Sequence, residues 1–204
     1  MLQNNSNLAE ALKQGRELLS GCSPTPLLES EILLAGVISR NKTFLYSHPE
    51  KTLSPAELLN FRQLLERRQR HEPLAYILNR KEFYGREFYV DNNVLIPRPE
   101  SEGIIDIIKQ RRNMLGFGSK TVLKVADLGT GSGCLAITLA LEFTDLPLQI
   151  DAYDISPAAL KVARLNWRKL KNIALPEVNV IQKYLLREQI FTKYNIIISN
   201  PPYI

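Results

Sequence analysis

Asn200-Pro201-Pro202-Tyr203 follows directly on the apolar run Ile196-Ile197-Ile198 and Ser199. An asparagine side chain carries a carbonyl acceptor and an amide donor side by side. The proline after it offers a carbonyl without an N–H and holds φ at about −65°. At a strand end such a loop presents several acceptors in a rigid fork, suited to gripping a planar –NH2 group. Amides and exocyclic base amines are weak nucleophiles, so a catalyst must hold the nitrogen with its lone pair aimed at an electrophile. Taken alone, these four residues are better explained as a polar turn ending a buried strand. A second motif upstream overturns that explanation.

That motif is Val125-Ala126-Asp127-Leu128-Gly129-Thr130-Gly131-Ser132-Gly133, leading into Cys134-Leu135-Ala136-Ile137-Thr138-Leu139-Ala140. An apolar stretch from Val122 that runs into glycines and then into a helix-period segment is the strand–loop–helix context of a nucleotide-type loop. Glycines at 129, 131 and 133 permit a tight turn and close approach of a ligand. The helix that follows directs its free N–H groups at whatever sits there. The spacing is G-x-G-x-G; the third glycine of a dinucleotide-binding G-x-G-x-x-G would fall at Cys134. Further on, Gln149-Ile150-Asp151-Ala152-Tyr153-Asp154 reads as a second strand ending in a carboxylate. A carboxylate so placed can accept both hydroxyls of a ribose.

Together these pieces resemble the class I S-adenosylmethionine-dependent methyltransferases. Val94-Leu95-Ile96-Pro97-Arg98-Pro99-Glu100-Ser101-Glu102 narrows the resemblance, as do Pro73-Leu74-Ala75-Tyr76-Ile77-Leu78 and Glu82-Phe83-Tyr84-Gly85. Over nearly its whole length the chain is similar to peptide chain release factor glutamine N5-methyltransferases, the HemK/PrmC family. The resemblance implies that Gly129, Thr130, Gly131, Ser132 and Gly133 lie under the methionine part of S-adenosylmethionine. It puts Asp154 on the ribose and Ile155 against the adenine. In the family the next strand ends in an acid and then an aromatic or apolar residue; spacing back from Asn200, those positions are Tyr184 and Leu185. Tyr184 departs from the pattern, since a phenol replaces an acceptor carboxylate, and weaker cofactor binding is implied. Asn195 stands where an Asp commonly precedes the apolar run.

The resemblance also implies the reaction. The Asn200 side-chain oxygen and the Pro201 carbonyl accept the two N–H bonds of a glutamine amide, and Tyr203 flanks its plane. Catalysis then rests on Asn200, Pro201 and Tyr203, Pro202 completes the substrate fork, and Asn200 also borders the cofactor. The sulfonium already activates the methyl group, so the chain's work is alignment, and positioning can supply up to roughly 7–11 kcal/mol. No strong base and no metal is called for. The implied substrate is the glutamine of a release-factor Gly-Gly-Gln loop, docked by the helical module and the Arg98 region, with no direct nucleic-acid contact and a monomeric enzyme. An adenine-N6 methyltransferase acting on DNA or RNA is the rival, because an exocyclic amine fits the same fork; it requires a base-flipping or strand-binding surface.

Composition bounds the setting. The 204 residues are 45% hydrophobic and 23% charged, values of a packed globular chain. A net charge of +5 suits an acidic partner and equally suits an ordinary enzyme. Cys22 and Cys134 have neither metal nor disulfide spacing and read as small packed side chains. The opening residues are polar with no signal-peptide core, and no apolar run reaches about 18 residues, so a cytoplasmic protein is expected. No catalytic arrangement of Ser, Cys or carboxylate is expected around His48 or His71, and neither is assigned to catalysis.

The elements that must position these residues follow from periodicity. Leu8, Leu12, Leu18 and Leu19 recur at helical spacing with Gly21 as a stop, and a second helix begins near Pro26. Ser54-Pro55-Ala56-Glu57 has a capping-box spacing and opens a third helix. That helix closes on Arg67, Arg68, Arg70 and His71, either complementing the helix dipole or facing an acidic partner. From Pro73 the pattern turns to period 2, with a hairpin around Gly85. Glu100 to Arg112 reads as a helix. Strands at Val122–Leu128, Leu148–Tyr153, Val178–Gln182 and Ile196–Ser199 then alternate with helices, as in a parallel sheet. The helix from Ser156-Pro157 carries Lys161, Arg164, Arg168 and Lys171 on one face, a solvated surface or a patch for ribosomal or tRNA-like partners, while Trp167 and Leu170 pack inward.

The expected fold is therefore α/β. A helical substrate-docking domain covers 1–72 and a hairpin connector 73–98. A Rossmann-like class I methyltransferase domain covers 99–204 and is truncated after its fourth strand, since the family's sheet continues beyond it. An unpaired Ile196-Ile197-Ile198 edge is then expected. A non-catalytic remnant that keeps only partner binding is a further alternative.

Overall fold

The computed structural model describes residues 6–111, 122–171, 176–183 and 192–200. The chain divides into two compact units, Met1–Leu78 and Asn79–Ile204.

The first unit is helical: α1 (Leu8–Leu19), α2 (Pro26–Val37), α3 (Lys42–Ser47), α4 (Pro55–Gln69) and α5 (Leu74–Ile77). Two helices start from reciprocal caps. The Asn7 side chain accepts from the Glu10 N–H while Glu10 reaches back to Asn7, and Ser54 and Glu57 do the same for α4. Leu8, Leu19, Leu33, Leu34, Phe61 and Leu65 form the centre of its core. Helices α1 and α2 pack closely at Gly15, where a Cβ would stand 2.2 Å from Ser30 Oγ and 3.0 Å from Phe61 Cζ. The unit runs through α5, past the expected boundary at 72, because Ile77 is buried in this core and Arg67 donates to the Ile77 carbonyl at 3.4 Å.

The basic end of α4 resolves into ion pairs. Arg68 holds Glu29 of α2 with Nε at 2.8 Å, both side chains nearly buried, and Arg67 Nε holds Glu72 at 2.7 Å. These two cations are committed within the unit, which leaves Arg70 as the exposed arginine of the cluster. His48 does have a serine neighbour, contrary to expectation: its Nδ1 lies 2.9 Å from Ser47 Oγ while its ring stacks on Phe44. The group sits at the exposed end of α3, so it offers packing rather than an enclosed site.

The second unit begins with a hairpin, β1 (Lys81–Phe83) against β2 (Arg86–Phe88), joined by Tyr84 and Gly85. Phe83 and Phe88 meet edge to face and are fully buried in this unit's core, so the hairpin is part of the unit by packing. A 3-10 turn (Pro99–Ser101) leads into α6 (Glu102–Gln110). Then β3 (Leu123–Leu128), α7 (Cys134–Glu142), β4 (Leu148–Asp154), α8 (Pro157–Leu170), β5 (Glu177–Gln182) and β6 (Ile196–Ser199) alternate.

The four strands form a parallel sheet in the order β5-β4-β3-β6. Val125, Ile150, Val178 and Ile198 face a core with Leu135, Ile137 and Leu139 of the very apolar α7. Asn195 exchanges two hydrogen bonds with Lys124, its N–H to the carbonyl and its Oδ1 to the N–H, both at 2.9 Å. In mid-sheet Asp151 accepts from Asn179 Nδ2 at 2.9 Å and from the Tyr194 hydroxyl at 2.6 Å. Among the described residues β6 pairs with β3 alone and is the sheet's last strand, with Ile197 60% exposed. Lys161, Arg164, Arg168 and Lys171 of the α8 face are all exposed, and Trp167 and Leu170 pack against the core.

Candidate active site

All four strands are parallel, so their carboxyl ends lie along one edge of the sheet. Strand β3 has β4 on one side and β6 on the other, so the chain order reverses there and opens a crevice between the β3 and β6 ends. Leu128 is paired with Tyr153 and with Ser199, which brings out Gly129, Asp154 and Asn200 as neighbours. The Ser199 hydroxyl donates to the Leu128 carbonyl at 2.9 Å and ties the β3 and β6 ends together.

The glycine turn is anchored from below and from the side. The N–H groups of Gly129 and Thr130 both donate to the Tyr153 carbonyl, at 2.9 and 2.8 Å. Thr130 Oγ1 donates to the Asp127 carboxylate at 2.7 Å, and the Gly133 N–H closes the turn on the Thr130 carbonyl at 2.8 Å. Gly133 caps α7 at φ 80°, where a Cβ would also come within 2.9 Å of Ile137 Cδ1. Gly131, at φ 54°, is different: a Cβ there meets nothing within 4 Å, so its bare backbone borders open space. Asp154 accepts the Gly131 N–H on Oδ2 and the Ser156 N–H on Oδ1, each at 2.9 Å. Those two bonds fix the carboxylate and leave a lone pair on each oxygen. Ile155, next in the chain, is 56% exposed.

Two residues beyond the sequence reading hold this turn. Asp127, 1% exposed, has its carboxyl pushed up to about 6 by burial and by the nearby Asp154 charge, against the opposing bonds from Thr130 and the Ala136 N–H. It is the acid of the motif itself, hidden in the sequence because a strand-end aspartate looks like any turn residue. Asn166 of α8 is fully buried; its Nδ2 donates to the Ser132 and Tyr89 carbonyls, both at 2.9 Å, and its Oδ1 accepts the Tyr89 N–H at 2.7 Å. A polar residue in the core phase of an amphipathic helix was the available signal. Cys134, at the start of α7, has its thiol pushed up to about 12 by burial, so it carries no nucleophile at neutral pH.

Asn200 faces this turn across the cleft. Its Nδ2 donates to Ser101 Oγ at 2.6 Å. Leu95, Ile96, Pro97 and Arg98 line the same cleft as Gly129, Gly131, Ser132 and Asn200. Tyr184, Leu185, Pro201, Pro202 and Tyr203 lie outside the described residues.

Comparison with known proteins matches residues 10–78 to the PrmC N-terminal domain and residues 114–204 to the methyltransferase small domain. The release factor glutamine methyltransferase of Shewanella oneidensis is 34% identical over 203 residues, an alignment that takes in 100% of this chain and 67% of that protein. This chain belongs to the release factor glutamine methyltransferase family. A second member, from Koribacter versatilis, is 37% identical over 190 residues, covering 93% of this chain and 64% of its own length. A bifunctional methyltransferase of Rickettsia bellii is 38% identical over 200 residues, covering 88% of this chain and 35% of the relative. The chain thus spans about a third to two thirds of the length of these relatives.

Within this family member the sheet is the Rossmann-like sheet expected from the sequence, and the cleft has two chemically distinct walls. One is a bare glycine backbone turn with a fixed carboxylate at Asp154 and an acidic floor at Asp127. The other is a side-chain amide, Asn200, beside an apolar segment. Such walls suit an elongated ligand with a polyol and a cation on one side and a flat polar group on the other.

Proposed function

We propose that the chain transfers a methyl group from S-adenosylmethionine to the side-chain amide nitrogen of a glutamine, the glutamine of a release-factor Gly-Gly-Gln loop. The observation that carries this reading is the adjacency of the glycine turn, Asp154 and Asn200 at the crevice where the strand order reverses. The residues fit the cofactor chemically. Gly131 leaves room for close approach, Asp154 has lone pairs for ribose hydroxyls, exposed Ile155 offers an apolar face to adenine, and the buried Asp127 carboxylate favours a cation. S-adenosylmethionine, when bound, supplies a methyl group made electrophilic by the sulfonium.

The chain's own work is then alignment. Asn200 Oδ1 accepts an amide N–H of the substrate glutamine, with the Pro201 carbonyl as the second acceptor and Tyr203 against the amide plane. Holding both N–H bonds directs the nitrogen lone pair at the cleft, a positioning effect worth several kcal/mol of the barrier, up to roughly 7–11 in ideal cases. The apolar Leu95–Pro97 segment lines that side of the cleft. The amide proton leaves to solvent after transfer, so no general base is assigned. The reading carries with it a monomeric, cytoplasmic enzyme whose helical unit docks a protein substrate. Among the described residues no helix is long and apolar enough to cross a membrane.

Titration with S-adenosylmethionine during thermal unfolding tests the cofactor half of this reading. Saturation at 100 times Kd adds about 2.7 kcal/mol to the cofactor-binding unit, so a rise of several degrees in its transition is expected. No shift at millimolar cofactor contradicts it.

A further inference from the structure

The Ser101–Asn200 contact joins two motifs far apart in sequence, and the methyl-transfer reading leaves Ser101 without a role. Ser101 is 6% exposed and ends the 3-10 turn Pro99–Ser101, with its N–H donating to the Arg98 carbonyl at 3.0 Å. Pro99 fixes φ at the start of that turn, so the Ser101 hydroxyl is held by backbone rather than by a flexible loop. On the other side, Asn200 directly follows β6, which is held as far as Ser199 by the β3 pairing and by Ser199 Oγ on the Leu128 carbonyl. Both ends of the contact therefore adjoin hydrogen-bonded backbone, and its 2.6 Å length makes it a close hydrogen bond.

We infer that Ser101 is a positioning residue: by accepting a hydrogen bond from Asn200 Nδ2 it holds the plane of the Asn200 amide, and in the sense the structure shows Oδ1 is the atom left for the substrate. This rests on the proposed methylation of a glutamine amide. The –NH2 group of that substrate brings two donors. An Asn200 amide turned by 180° would meet them with its own N–H, donor against donor. With Nδ2 on Ser101, Oδ1 is the remaining polar atom of the Asn200 amide and the one able to accept. Free rotation of the Asn200 amide would divide its population between an accepting and a repelling form and smear the alignment on which the rate depends.

The test compares Ser101→Ala with Ser101→Thr in the intact chain. With release factor as substrate, Ser101→Ala should lower kcat about 10- to 100-fold while the Kd for S-adenosylmethionine stays within about twofold, and Ser101→Thr, which restores a hydroxyl, should recover most of the rate. An unchanged kcat in Ser101→Ala, a parallel loss of cofactor affinity, or a failure of threonine to rescue overturns the inference. A second readout is independent of activity. In NMR spectra the Asn200 side-chain amide protons should be protected from exchange in the wild type and in Ser101→Thr, and unprotected in Ser101→Ala. Equal exchange in all three overturns the contact itself. A wild type that binds cofactor but methylates nothing defeats the proposed function instead, and the exchange result then decides Ser101 alone.

Discussion

Asp127 shows how a single side chain can be read for both stability and chemistry. Its carboxyl ionises at about 6 in the fold, against 3.8 for a free aspartate, chiefly because burial penalises the charged form. Between those values the folded chain keeps a proton that the unfolded chain has lost. Asp127 therefore contributes most to stability below pH 3.8, and the contribution is lost as pH rises through about 6. Asp127→Asn, which stays uncharged, should compare more favourably with the wild type at pH 7.5 than at pH 4.5. A change of a few degrees in the difference between their melting temperatures is expected, since 1 kcal/mol is worth about 2–4 °C in a chain of this size. Parallel curves at the two pH values would mean that Asp127 titrates normally. Keeping a costly charge under the glycine turn makes sense if a cationic ligand offsets it.

At the scale of elements, α1 and α2 give a case where two magnitudes compete. Gly15→Ala gains about 1 kcal/mol of helix propensity in α1 but inserts a methyl group into a full contact, which typically costs 1–3 kcal/mol. The Ser30 hydroxyl can rotate away; Ser30 Cβ at 3.2 Å and Phe61 Cζ at 3.0 Å cannot readily follow. The variant should therefore melt below the wild type, and Gly15→Ala with Ser30→Ala should regain part of the loss. An equal or higher melting temperature for the single variant would place the helices further apart than described. Element by element, what the sequence revealed depended on length. The capping box at Ser54, the hairpin at Gly85 and the alternating strands and helices were legible because each is fixed by local chemistry, whereas the Asn7 box was found only in the structure. Helix α3 and the single turn of α5 were not, because six and four residues carry too little periodicity to register. The roles of Arg67 and Arg68 were equally hidden, since a basic run does not reveal that Glu29 and Glu72 will meet it.

For the whole molecule, family membership and fold class emerged from three motifs whose joint spacing is specific although each alone is weak. Topology explains why they work together: only a parallel sheet with β3 between β4 and β6 brings Gly129, Asp154 and Asn200 to one crevice. What the sequence could not show is the supporting layer. Asn166 tying the turn to Tyr89 and Ser101 on Asn200 are contacts between residues far apart in the chain, invisible without the fold, and the burial of Asp127 beneath the turn is equally a product of the fold. Methyl transfer at the crevice is tested most directly by mass spectrometry of release factor incubated with the chain and S-adenosylmethionine. One added methyl group on the Gly-Gly-Gln glutamine is predicted, falling about 100-fold or more in rate with Asn200→Ala. No methyl group on that glutamine, or equal methylation by Asn200→Ala, would contradict it.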